Sequence, residues 1–197
     1  MGQANAKKRA YEKAKADLLA SCEADEAIVA NSAIGLFENF ILPKNYTGGC
    51  YLITFTLQRF LERERGIKAT PVVGYVNDGT DDIMISHAWL DYRGRKTDLT
   101  LHVLEHHKAL HNGPVMVLDR PIRPGKATYS YHRERSVAGL LAVQQMMTDP
   151  QISSVVRHKE EEHLRMTAIS KSAGLIDAFL DGAPDEVSCE VLARAMR

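Results

Sequence analysis

Cysteine is scarce in this chain: three in 197 residues, at positions 22, 50 and 189. An odd number of widely spaced thiols excludes a disulfide framework and fits a reducing compartment. Net charge is absent as well, with 25 Lys and Arg against 25 Asp and Glu. That balance argues against a nucleic-acid or membrane-surface role driven by overall charge. No apolar run approaches the ~20 residues of a membrane span. No repeat or low-complexity stretch suggests a solenoid or a disordered tail. The first residues lack the apolar core of a secretory leader, and Ala6 spoils a myristoylation pattern. The expectation is a soluble cytoplasmic protein of one domain, 1–197, with a core at about 41–132 and helical extensions over 1–40 and 133–197.

What is present begins with helices. Residues 4–22 are rich in Ala, Lys, Glu and Leu, and Tyr11, Ala14, Leu18 and Leu19 form an inner stripe. Lys7, Lys8 and Arg9 read as a solvated face. A second helix is expected from Ala27 to Phe40, with Val29, Ala33, Leu36, Phe37 and Phe40 inward and Gly35 as its weak point. After the loop at Pro43 comes Thr47-Gly48-Gly49-Cys50-Tyr51, which delivers a cysteine to the first turn of a helix ending before Gly66. Apolar Ile53, Leu57, Phe60 and Leu61 follow on one face, with Thr54, Thr56, Gln58 and Arg59 on the other. Unpaired N–H groups and the positive dipole end there favour a thiolate. The Cys50 backbone N–H is a donor for an oxyanion, as is Gly49 by its position in the turn, and Asn45 or Tyr46 lies within sequence reach.

Two strands follow, after Pro71 to Val76 and from Ile83 to Asp91, separated by the turn Asn77-Asp78-Gly79. Alternation places Ile83, Ile85, His87, Trp89 and Asp91 on one face of the second, so Trp89 is positioned to shield the His87 imidazole. A two-residue turn at Arg93-Gly94 would set Trp89 opposite Asp98 and make Asp98 a diagonal neighbour of His87. A bulged turn would send Asp98 to the wrong face and leave Asp91 as the alternative partner.

These motifs, Gly48-Gly49-Cys50, His87-Ala88-Trp89 and Asp98-Leu99-Thr100, occur in the order of the transglutaminase-like branch of the papain-like cysteine enzymes, which the chain resembles from about Thr47 to Thr100. The glycine pair is also similar to that of the arylamine N-acetyltransferases, which share that core. The resemblance implies Cys50 as nucleophile, His87 as general base and Asp98 as its orienting acid. It implies an α+β fold: a nucleophile-bearing helix on a small antiparallel sheet, flanked by N- and C-terminal helices. The expected activity is thiol-dependent acyl transfer through a thioester, as a peptidase or amidase or as a transferase, on a peptide or a small amide or ester. No cofactor and no metal is implied.

Two other uses stay open. Leu101 to His111 carries four histidines; if helical, His102 and His106 share a face, as do His107 and His111, a spacing that suits zinc but without a third ligand. A catalytically silent interaction module on the same fold is the other. Met116 to Asp119 reads as a strand and Arg120 to Gly125 as a rigid solvated turn, although Arg120 and Arg123 would suit a carboxylate. The C-terminal helices, about 134–148, 152–170, 175–180 and 186–196, either cap the core or form a homodimer contact, with Val137, Leu140, Leu141, Gln144 and Met147 as an apolar stripe with one polar interruption on the first.

Overall fold

The structure, a computed structural model, describes residues 2–103 and 111–197. It is a mixed α+β fold, with helices packed about a four-stranded antiparallel sheet and a second sheet of two strands. Helix α1 (Gly2–Ala20) leads to α2 (Ala24–Leu36), which opens on a reciprocal Glu23–Glu26 capping box. Its continuation is a π-helical turn, Phe37–Ile41, and the short α3, Leu42–Lys44. Gly35 does not break α2 because it is where another backbone crosses: a Cβ there would lie 2.9 Å from the Ala195 carbonyl.

Helix α4, Cys50–Arg65, is the centre of the molecule. Its polar face was expected in solvent. Instead Thr54, Thr56, Gln58 and Arg59 are all under a tenth exposed, because α7 (Ala173–Asp181) and α8 (Cys189–Met196) close over the helix. The buried Arg59 guanidinium is matched by Asp177 of α7, Nε to Oδ1 at 2.8 Å and Nη2 to Oδ2 at 3.1 Å.

The main sheet runs in the order β3-β2-β1-β6, from β1 (Thr70–Asn77), β2 (Ile85–Tyr92), β3 (Arg95–Thr97) and β6 (Ser130–His132). Strand β1 pairs with β2 with Gly74 opposite His87. The β2–β3 hairpin closes over Arg93 and Gly94, both at positive φ (52° and 79°), the backbone of a primed two-residue turn. Leu90 therefore pairs with Thr97. The second sheet joins β4 (Val115–Val117) to β5 (Arg120–Arg123), so the segment read as a rigid loop is a strand. The turn falls at Leu118 and Asp119, again at positive φ, and Pro121 is tolerated because its strand, β5, pairs with β4 alone.

Beyond β6 lie α5 (Val137–Thr148) and α6 (Ser153–Ile169). Here the apolar stripe faces outward: Val137 is 76 % and Leu141 60 % exposed. The cause is Gly139, where a Cβ would lie 2.6 Å from Met84 Sδ. That close approach rotates the helix so that Gly139 and Val143, one turn apart, face inward. No helix among the described residues is long and apolar enough to cross a membrane.

Candidate active site

Two glycines shape the approach to Cys50. Gly48 has φ of 72°, a left-handed backbone that other residues resist, and a Cβ on Gly49 would fall on the Tyr46 ring. Gly49 is the N-cap of α4 and has no side chain to satisfy the first-turn N–H groups. Cys50 is thus presented half-buried at the positive end of a four-turn helix.

His87 projects from β2 and is only 6 % exposed. Its Nε2 lies 2.7 Å from Asp98 Oδ2. The other ring nitrogen, Nδ1, faces away from Asp98, and Cys50 lies near enough to act on the charge of the imidazole. Burial alone would push the imidazole toward neutrality, but the Asp98 carboxylate and the neighbouring Cys50 sulfur outweigh it and raise the His87 pKa above its ordinary value.

Asp98 is 2 % exposed, and its position is set from two directions. Its backbone N–H and C=O both bond Met116 at 2.8 Å, an isolated bridge that ties the two sheets together. Its Oδ1 accepts the Thr100 N–H at 3.0 Å and hydroxyl at 3.1 Å, while Oδ2 accepts the Tyr131 hydroxyl at 2.9 Å beside the His87 contact. Burial opposes ionisation, yet His87 and these donors hold the carboxyl below the usual carboxylate range. The alternative partner, Asp91, is used elsewhere: its Oδ1 accepts the Gly94 N–H at 2.9 Å within the hairpin turn.

Cys50, His87 and Thr100 open onto a cleft of about 360 Å³. One wall is apolar, from Met84, Val143, Met146 and Val156; the other carries Arg135, clamped by Glu160 with Nη2 to Oε1 at 2.6 Å. The remaining sequence candidates stand outside this wall. Asn45 is exposed at the left-handed end of α3, Tyr46 packs edge-on against Phe40 and beneath Gly49, and Trp89 is buried edge-on against Tyr131 at 5.2 Å.

Of the histidine-rich segment, Leu101–Val103 form a turn and bend, and residues 104–110, with His106 and His107, lie outside the described residues. His102 is buried with Nδ1 on the Leu99 carbonyl at 3.0 Å, and His111 is exposed beside Asp78. No group of three or more metal-ligating side chains exists among the described residues.

Two features escaped the sequence. A chain of hydroxyls runs beside the thiol: Tyr51 to Ser86 at 2.7 Å, then Ser86 to His163 Nδ1 at 2.6 Å, with His163 stacked on Tyr75. Tyr131, the fourth donor to Asp98, sits on a three-residue strand too short to show alternation; its one signal was the i, i+2 spacing from Tyr129. A hydrogen bond to a charged group contributes about 1.5–3 kcal/mol. Tyr131→Phe should therefore lower Tm by about 3–10 °C in a pH 7 melt. An unchanged melt would mean that Asp98 does not rely on that hydroxyl.

No known family, curated protein or solved structure matches the chain.

Proposed function

We propose that the protein is a thiol-dependent acyl-transfer enzyme of the transglutaminase-like kind. The observation that carries the reading is the line Cys50–His87–Asp98, with its sulfur at a helix N-terminus and its imidazole tied to a buried carboxylate beside a cleft. In this mechanism the Cys50 thiolate adds to an amide or ester carbonyl carbon. The developing oxyanion is met by the uncapped N–H groups of the first turn of α4. The tetrahedral intermediate collapses to a thioester, the C–N or C–O bond breaks, and the His87 imidazolium gives its proton to the departing amine or alkoxide. Water or an amine then attacks the thioester, His87 takes the proton back, and the thiolate is released. Asp98 stays ionised throughout and fixes the ring with Nδ1 toward sulfur.

The test is acetylation by p-nitrophenyl acetate. The expected result is a burst of one p-nitrophenol per chain, with a single acetyl group located by mass spectrometry on Cys50. Cys50→Ser should remove both. A burst that survives in Cys50→Ser, or acetyl groups found only on other side chains, overturns the proposal. The pH profile carries its own expectation. A His87 pKa raised by Asp98 and Cys50 keeps the imidazolium protonated as pH climbs. The alkaline limb of kcat/KM should consequently lie well above ~6.5, where an ordinary histidine titrates.

A further inference from the structure

A second cavity, more capacious than the Cys50 cleft, lies elsewhere on the molecule. It has a volume of about 780 Å³ and is bounded by α1, the π-helical turn, the His102 turn and the end of β5. That volume falls in the range of about 300–1,000 Å³ typical of small-molecule sites.

Its rim is cationic. Lys7, Lys8, Arg123 and Lys126 all border it, and none of the four is in an ion pair among the described residues. The two acidic side chains that line it, Glu12 and Glu38, both meet Lys15, at 3.2 and 2.6 Å. The charge left to a ligand is therefore positive. Leu42 and Pro124 supply an exposed apolar surface beside it.

The floor holds the second observation. His102 is 6 % exposed and lines this cavity. Its Nδ1 faces the Leu99 carbonyl, which can only accept, so Nδ1 carries the proton. Burial first, then the nearby Arg123 guanidinium, lowers its pKa to about 4, so the ring is neutral at physiological pH. Nε2 is then a bare lone pair, buried and without a hydrogen-bond partner among the described residues. Leaving a buried acceptor unsatisfied costs about 1–3 kcal/mol, and a native site with that cost calls for a ligand donor.

We propose that this cavity binds a small organic anion: a phosphate or carboxylate held by Arg123 and Lys126, an apolar ring or chain against Leu42 and Pro124, and an N–H or O–H donating to His102 Nε2. The proposal stands apart from the acyl-transfer reading, because no residue of the Cys50 cleft contributes to it. The two sites nonetheless share one short turn. Thr100, which holds Asp98, lines the cleft, and His102, which holds Leu99, lines this cavity.

The test is calorimetric titration of the full chain with AMP, 4-hydroxybenzoate, adenosine and inorganic phosphate at one ionic strength. AMP or 4-hydroxybenzoate should bind, and which of the two does so separates phosphate from carboxylate recognition. Adenosine, lacking charge, and inorganic phosphate, lacking the ring and donor, should each bind at least tenfold more weakly. Arg123→Ala should weaken the bound anion about tenfold, the loss of one ion contact. Binding of the same anion should shift the 15N resonance of His102 Nε2, a readout confined to that atom. His102→Phe should remove the advantage of the donor-bearing probe. Should that buried substitution fail to fold, the exposed Arg123→Ala and Lys126→Ala variants decide the question on their own. Absence of binding by both organic anions at ~10 mM, a standard free energy weaker than about 3 kcal/mol, overturns the proposal. So does wild-type affinity in Arg123→Ala together with an unmoved His102 resonance.

Discussion

His87→Ala should slow iodoacetamide alkylation of Cys50 by about tenfold or more at acid pH. The magnitude follows from the thiolate fraction. At about pH 6 a free thiol of pKa ~8.5 is less than one per cent ionised. On the proposed mechanism the Cys50 sulfur reacts as a thiolate paired with the His87 imidazolium, and His87→Ala removes that partner. The lower basicity of such a thiolate removes about an order of magnitude of that advantage. The net difference should be read as second-order rate constants at about pH 6, with the melt of each variant as the control for folding. His87→Ala leaves Asp98 its three bonds from Thr100 and Tyr131, so the carboxylate is not stranded. Equal rates in the two proteins would remove the imidazole from the chemistry. Rates that match a model thiol in both would remove the cysteine.

Asp98→Ala should have the largest effect on stability. Truncating one partner of a buried ion pair costs about 3–5 kcal/mol, because the other charge is left in the interior. For a chain of this size that corresponds to a fall in Tm of about 6–20 °C. The loss should depend on pH in a definite sense. The raised His87 pKa contributes stability that is fully present below ~6.5 and disappears as pH rises through the folded value. The lowered Asp98 pKa contributes stability that is present above ~3.9 and disappears as pH falls through the folded value. The gap between wild type and variant should thus be widest between about pH 4 and 6.5 and narrow in alkali. Asp98→Asn separates the two roles: it should recover part of the Tm while leaving Cys50 as slow to alkylate as in His87→Ala. Melting curves at three pH values decide this, and a gap independent of pH would mean that the pair is not ionised in the folded protein.

Much of the site was legible because its parts are local. A glycine pair before a cysteine announces a helix start, and Arg93-Gly94 announces a turn, although the sequence left its length open between two registers. Once that turn has two residues, Asp98 falls diagonally from His87 with nothing further to specify. The inner residues of the first two helices, from Leu18 to Phe40, were equally readable, since each packs one face on a single core. The failures share a different cause. The threonines and Arg59 of α4 read as a wet face because nothing near them in sequence says that helices 110 residues later will cover them. The apolar stripe of α5 faces outward because a close contact at Gly139 fixes its rotation, and a stripe alone does not say which side wins. Tyr131 was invisible because three residues cannot show a period of two. The same holds for Ser86 and His163, whose contact spans 77 positions.

Trp89 is the only indole in the chain. Its edge meets the ring of Tyr131, and the hydroxyl of that tyrosine ends on Asp98. The molecule therefore carries its one indole, whose emission lies to the red of that of its seven tyrosines, two side chains away from its central carboxylate. Proton movement at that carboxylate can be followed by light in the unlabelled protein.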